Sequence, residues 1–156
     1  MGFTYQMMQF QEERLWAAAR TVGGMERILK ETIDYVRERK MFNQTVLDYQ
    51  VVQHKLAEVK TEIESLRALT YRATELYVAG KDVTELASMA KLKAGRTSRF
   101  ITDALLQYWG GMGYTWENHI SRAFRDGRLG SIGGGADEVM LGIIGKLMGI
   151  ATTRGK

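Results

Sequence analysis

This sequence predicts an all-α fold, an up-and-down four-helix bundle with one additional short helix, and three observations carry the prediction. Apolar residues recur at spacings of three and four along most of the chain, the period that gathers them on one stripe of a helix. No proline occurs among the 156 residues, and proline is the residue that most strongly breaks a helix interior. No segment shows a convincing strand-like alternation of apolar and polar residues.

The first helix is expected from about Met8 to Lys40, where Leu15, Ala18, Val22, Met25, Leu29, Ile33 and Val36 share a stripe. A second stripe runs through Val52, Leu56, Val59, Ile63, Leu66, Ala73 and Leu76 and ends at Gly80, a residue suited to a left-handed C-cap. Asp82 can cap a third helix, from about Val83 to Tyr108, with Leu86, Met89, Phe100, Ile101, Ala104 and Leu105 on its inner face. Helices of this length, roughly 40 Å each at 1.5 Å per residue, pack most simply as antiparallel neighbours. Asn118 to Asp126 reads as a short helix, residues 127 to 135 as a glycine-rich loop, and Asp137 to about Ile150 as the last helix. Gly142, Gly145 and Gly149 fall on one face of that last helix and would let another backbone approach closely.

Composition bounds the function classes. With 45% hydrophobic and 26% charged residues the chain reads as a single globular domain over 1–156 rather than a disordered one. No apolar run reaches bilayer-spanning length, and the start lacks the pattern of a signal peptide, so a soluble protein is expected. The absence of cysteine excludes a disulfide framework and a thiolate metal site, and His54 and His119 alone offer imidazoles, so no metal centre is expected. The formal charge of +4 raises the question of an anionic partner. The basic residues are interspersed with acidic ones, as in ETIDYVRERK and HKLAEVKTEIESLR, which reads as a solvated helix face rather than a nucleic-acid stripe.

Three stretches invite a chemical reading. GSIGGGADEV, residues 130 to 139, spends unusual backbone freedom at one point. It is no Walker loop, because no strand precedes it and MLGIIGKL lacks the first glycine and the hydroxyl residue after lysine. QFQEERLW places Glu12 and Glu13 early in a helix, where carboxylates commonly complement the macrodipole. Adjacent positions point about 100° apart, so the two are not expected to be equally solvated, and an inward carboxylate would have the raised pKa that a general base needs. In RERKMFNQTVLDYQ, Arg39 could offer a forked donor to a phosphate and Phe42 an apolar plate to a ring.

Taken together, ERLWAAARTVGG, YVRERKMF followed by YQVVQHKLAE, ASMAKLKAG, LLQYWGGMGYTWE and SIGGGADEVM resemble the C-terminal helical domain of the acyl-CoA dehydrogenases, in family order and spacing from about Phe10 to Ile150. The resemblance implies a helical bundle that in the family follows an N-terminal helical domain and a middle β domain, neither of which is in this sequence. It implies an FAD enzyme that removes the α and β hydrogens of an acyl-CoA thioester, a glutamate taking the α proton while hydride passes to the flavin. The isolated chain is then expected to be inactive.

Many family members carry the catalytic glutamate in a loop that matches Ile132 to Ala136 here, so Gly134 stands at its position. A branch resembling the long-chain and isovaleryl-CoA enzymes takes its base from the first bundle helix, directly before an arginine. Glu13, before Arg14, matches that base, and the expectation is a dry pocket in which the loop glycines leave room for the carboxylate and the acyl chain. Gln11, Arg14, Gly134 and Gly135 match substrate-contact positions. Arg39, Phe42, Gln50, Gln107, Gly110, Gly111, Ala136 and Glu138 match positions around FAD, the first three reaching the dinucleotide of a neighbouring subunit, with the glycines making space for it. The sequence departs from the family at Asn43, usually glycine, Trp109, usually histidine, Gly133, usually aromatic, and Ala136, usually threonine, where a hydroxyl contact to the flavin is lost.

The partners implied are acyl-CoA, neighbouring subunits of a homodimer or homotetramer, and electron-transferring flavoprotein, in the bacterial cytoplasm or the mitochondrial matrix. Two other classes stay open: a non-catalytic helical oligomerisation module, and a basic DNA-binding flavoprotein relative.

Overall fold

A computed structural model describes residues 2–150, the side chains of residues 3, 4 and 7 apart. Three long helices form the frame: α1 (Gly2–Glu38), α2 (Gln50–Val78) and α3 (Thr84–Trp109). Two shorter ones follow, α4 (His119–Gly127) and α5 (Asp137–Leu147), with single 3-10 turns at Val46–Asp48, Gly110–Tyr114 and Arg128–Ser131. Helix α3 is central. It packs against α1 and α2 on one side and against α4, α5 and the turn before α5 on the other.

The apolar stripes read from the sequence make the core. Ala18, Val22, Met25, Leu29 and Val36 of α1 meet Val52, Leu56, Val59, Ile63 and Leu66 of α2 and Ile101 and Leu105 of α3, with Ile33 half-buried at the edge. A smaller cluster of Leu15, Ala73, Val83 and Ala87 closes the end at which α1 begins. Each buried leucine-sized side chain contributes roughly 1.5–3 kcal/mol.

On α3 the expectation fails in an informative way. Leu86, Met89, Phe100 and Ala104 are only half-buried, whereas Ser88, Lys91, Gly95, Ser98 and Thr102 are buried. They recur at spacings of three and four, so α3 has a second inward face made of small and polar residues, against which residues 127–137 fold back. A Cβ added at Gly95 would lie 2.7 Å from the carbonyl oxygen of Gly130, and one added at Gly127 would lie 2.8 Å from Oγ of Ser98. The loop therefore touches the helix backbone to backbone, which larger residues would prevent.

Helix ends follow local chemistry. Gly80, at φ 72°, ends α2: its N–H donates to the carbonyl of Tyr77 and the N–H of Lys81 to that of Leu76, the paired bonds of a Schellman cap. Gly149, at φ 73°, ends α5 in the same way. It thus serves as a cap rather than as part of a packing face, and Gly142 meets no other atom within 4 Å. Asp82 accepts from the N–H and hydroxyl of Thr84 and so opens α3 from one residue before its N-cap.

Between α1 and α2 the chain makes a two-residue antiparallel ladder that the sequence did not suggest, β1 (Lys40–Met41) with β2 (Gln44–Thr45). Its turn residues, Phe42 at φ 51° and Asn43 at φ 66°, are both left-handed, the geometry of a tight hairpin. Asparagine tolerates that region, which explains how it replaces the glycine usual in the family.

Candidate functional site

The residues singled out from the sequence fall at two ends of the bundle, separated by roughly 35 Å along α1 at 1.5 Å per residue. At one end stand Gln11, Glu13 and Arg14 of α1 and the glycine loop before α5. At the other stand Arg39, Phe42 and the hairpin, Gln50 at the start of α2, and Gln107, Gly110 and Gly111 at the end of α3.

At the loop end Arg14 is only 7% exposed. One guanidinium nitrogen donates to Oγ of Ser88 at 3.3 Å, the group lies over the ring of Phe10, and its Nε has no partner among the described residues. Burial pushes the guanidinium below its ordinary pKa, and the carboxylate of Glu13 opposes that shift. One turn beyond Ser88, Lys91 is 3% exposed and donates from Nζ to the carbonyl oxygen of Gly130 at 2.9 Å and also to that of Gly135. Burial pushes its ammonium below the ordinary lysine value; Asp137 works against that shift and Arg14 adds to it. Asp137, at the first position of α5, faces Arg96 at 3.6 Å and Arg99 at 3.8 Å, and its Oδ1 is unpartnered, as is Oγ of Ser131.

Two expectations need correction here. Glu12 and Glu13 are both exposed: Glu12 leans to the hydroxyl of Tyr77 at 3.5 Å, and Glu13 stands in the open beside Arg14. Among the described residues α5 packs chiefly on α3 and Glu13 is left exposed, so the dry pocket expected around Glu13 is not built by them. Gln11 accepts the N–H of Val83 at 3.0 Å and ties α1 to the start of α3, a structural duty that the sequence did not disclose.

The loop is open at Gly134, whereas at Gly135 a Cβ would lie 2.6 Å from Cε of Met140. Gly134, at φ 66°, and Gly135, at φ 106°, adopt backbone that favours glycine. The nearest atom to a Cβ on Gly134 would be Cε of Lys91, at 4.0 Å. Ala136 is the N-cap of α5 without a side-chain bond, and Glu138 is exposed in its first turn. Lys91, which sequence reasoning missed, anchors this loop; by composition Ser88 and Lys91 look like solvated helix positions, and only the fold shows them buried.

At the hairpin end the polar groups are matched. Arg39 donates to the carbonyl oxygen of Tyr108 at 2.9 Å and lies over the ring of Tyr35. Tyr35 stacks on Trp109 at 4.1 Å between centroids, and the indole N–H donates to Oγ1 of Thr32 at 3.0 Å. Trp109 thus stacks and hydrogen-bonds at once where the family has histidine. Gly110, at φ 57°, is empty for a reason the sequence reading did not give: a Cβ there would lie 2.8 Å from the guanidinium of Arg39. Gly111 has nothing within 4 Å of its Cβ direction, Gln50 and Gln107 are exposed, and Phe42 is 88% exposed at the hairpin tip.

Beside the loop end, the tertiary structure gathers basic residues that the sequence shows interspersed with acidic ones. Arg96, Arg99, Arg125 and Arg128 line an open cleft of about 830 Å³ with Phe100, Thr102, Asp103 and Phe124. Among the described residues no group of three His, Cys, Asp or Glu is placed to hold a metal ion, and no helix is long and apolar enough to cross a membrane.

Comparison with known proteins gives one answer. The family model described as "Acyl-CoA dehydrogenase, C-terminal domain" matches residues 1–149. The chain is 36% identical over 145 residues to the mitochondrial short/branched chain specific acyl-CoA dehydrogenase of Bos taurus, covering 93% of this chain and 34% of that protein. It is 39% identical, over the same shares, to the mitochondrial long-chain specific acyl-CoA dehydrogenase of Sus scrofa. The structure of butyryl-CoA dehydrogenase from Megasphaera elsdenii superposes with a TM-score of 0.91 at 32% identity, covering 94% of this chain and 38% of that one. The chain thus spans about a third of the length of the curated relatives it matches.

Proposed function

The chain belongs to the acyl-CoA dehydrogenase family, as its C-terminal domain, and from that premise we propose that it supplies the proton-abstracting wall of an FAD-dependent enzyme that desaturates acyl-CoA thioesters. Glu13 is the base for the α proton. The observation that carries this reading is the pairing of a carboxylate with a buried, incompletely satisfied guanidinium on successive residues, near a loop that carries no carboxylate and leaves open space at Gly134.

Arg14, held by Ser88 and desolvated, presents charge to the thioester end of the substrate, where a fixed cation in a dry site acts more strongly than in water. Gly134 and Gly135, whose N–H groups have no acceptor among the described residues, add donors. Glu13 becomes an effective base only when desolvated, and the cover comes from outside this chain: the β domain of the complete protein together with the acyl chain itself.

The hairpin end fits a dinucleotide. Phe42 offers an exposed aromatic plate, Gln50 and Gln107 offer exposed amides, and Gly111 leaves open space, while Arg39 is fixed by Tyr35 and Tyr108 with its charge at the same end. FAD, when bound, accepts the hydride from the β carbon. The roughly 35 Å between the ends supports a flavin site shared between neighbouring subunits, each giving its loop end to one site and its hairpin end to another. Electron-transferring flavoprotein is the proposed acceptor, and the mitochondrial matrix or the bacterial cytoplasm the compartment.

The test is Glu13→Gln in the complete protein. Substrate-dependent flavin reduction should fall by about 10²–10⁴-fold, the usual worth of a general base, with flavin still bound; near-normal reduction refutes the assignment. The reciprocal exchange, Glu13→Thr with Gly134→Glu, should restore part of the rate. It restores only part because a non-glycine residue at φ 66° is strained by about 1–2 kcal/mol.

One observation favours a second contribution, assembly. Val139, Leu141, Leu147, Met148 and Ile150 on and just after α5 are exposed, and Gly142 beside them is open. Such a face suits burial against a neighbouring subunit. Sedimentation of the chain should show self-association that Leu141→Glu abolishes; a monomer for both removes this contribution.

A further inference from the structure

A buried ammonium with no carboxylate in hydrogen-bond contact is unusual. Lys91 has spent its charge on two backbone carbonyl oxygens, those of Gly130 and Gly135, which bracket the glycine run Gly133–Gly135. The first part of the segment between them is held by its own turn, with Ser131 buried and Ile132 and Gly133 donating to Leu129, so it is Gly134 and Gly135 that lack backbone bonds among the described residues. The backbone bonds of the turn stop at Gly133, whose N–H donates to Leu129, and resume at Met140, which donates to Ala136. Gly134 and Gly135 sit in the left-handed half of conformational space, where glycine has several wells of similar energy. A side chain that holds the carbonyls at both edges of such a segment selects one of those wells.

We propose that Lys91 is a positioning residue of the reaction: by holding the carbonyl oxygens of Gly130 and Gly135 from within the fold, it fixes the glycine loop in the conformation that faces Glu13 across the substrate. The proposal rests on the reading of Glu13 as base and of the loop as the opposite wall. Lys91 touches neither substrate nor flavin in this arrangement and acts through the loop alone.

The charged groups that face Lys91 are Asp137 from α5 and Arg14 from α1, and Asp137 is itself shared with Arg96 and Arg99. Asp137 keeps the ammonium charged and Arg14 disfavours it, so the loop anchor and the substrate-facing guanidinium are electrostatically linked. Filling the Arg14 site with an acceptor from substrate strengthens the charge on Lys91 and tightens the loop.

Two measurements on the 156-residue chain test the loop and one on the complete flavoenzyme tests the reaction. Lys91→Met keeps length and removes charge and donors. Amide hydrogen exchange of Ile132 and Gly133, whose N–H groups donate to Leu129 inside the loop, should rise at least 10-fold while exchange in α1 and α2 stays unchanged. Unchanged loop exchange overturns the proposal. Should Lys91→Met fail to fold, the wild-type chain decides: the carbonyl carbon signals of Gly130 and Gly135, the two groups that Lys91 holds, should move together with one midpoint as the ammonium is deprotonated, and carbonyl signals that do not move together before the chain unfolds in alkali overturn the proposal. In the complete protein Lys91→Met should lower the rate of substrate-dependent flavin reduction at least 10-fold with flavin still bound and substrate affinity changed less than the rate. A loosened loop with an unaltered rate also overturns the positioning role. A fully active Glu13→Gln would sink the assignment of the base while leaving the exchange and titration results to judge the loop anchor by themselves.

Discussion

The hairpin end and the loop end of this bundle are built from the same kinds of residue and solved in opposite ways. Each has an arginine, Arg14 from α1 and Arg39 directly after it, set against α3, and a group of glycines. At the hairpin end Arg39 finds a carbonyl, an aromatic face and a glycine that makes room for it, and the neighbouring indole and phenol are paired as well. At the loop end Arg14 has one long hydrogen bond, and the three buried side-chain atoms without a partner among the described residues, on Arg14, Ser131 and Asp137, all belong here. An unpaired buried polar group costs about 1–3 kcal/mol. The buried polar groups of the hairpin end are therefore satisfied within this chain, whereas those of the loop end are left partly unpaired among the described residues. That asymmetry is what a domain contributing one wall of an active site should show.

Stability measurements on the isolated chain sharpen the contrast. The largest effect is expected at Gly95→Ala, where the new Cβ would lie 2.7 Å from the backbone oxygen of Gly130; overpacking of this kind costs about 1–3 kcal/mol. A denaturant midpoint close to wild type would show that the loop does not rest on α3 as described. Next is Arg39→Met, which removes the bond to Tyr108 and the contact with Tyr35 and should cost about 1–2 kcal/mol. Ala136→Thr, by contrast, should raise stability by about 1 kcal/mol, because the N-cap of α5 lacks a side-chain acceptor.

Arg14→Met should change stability least, by less than about 0.5 kcal/mol or in the stabilising direction, since an apolar side chain needs no desolvation of charge. Ser88 loses little, because its hydroxyl still donates to the carbonyl of Thr84. A cost for Arg14→Met equal to that of Arg39→Met would erase the difference between the two ends. A pH effect is smaller still. Burial raises the pKa of Glu31, but hydrogen bonds from Arg27 and His119 outweigh it and hold the group below its ordinary value of 4.5. A carboxylate depressed on folding stabilises above its unfolded value, so its contribution should be lost as pH falls from there through the folded value. Acid titration of Glu31→Gln should lack that component.

Much of this was legible in the sequence. The stripes of α1 and α2, the left-handed cap at Gly80 and the glutamate–arginine pair could be read residue by residue, because each depends on neighbours within a turn or two. The polar face of α3 could not. Ser88, Lys91 and Thr102 look like solvated helix positions by composition, and Leu86 and Phe100 look like core. The order inverts because residues more than 30 positions later fold back on the helix. Gly110 shows the same limit: its emptiness was legible, but its occupant, Arg39, lies across the fold.

The sequence by itself determined the class of fold, the number and order of the helices, the cap at Gly80, and the family. Only the tertiary structure decided which charges are withdrawn from water, that Glu13 is left uncovered, and that Lys91 holds the glycine loop. The reason is physical: helix formation and capping are set by contacts a few residues apart, whereas desolvation is set by whatever surface arrives from elsewhere in the chain or from beyond it.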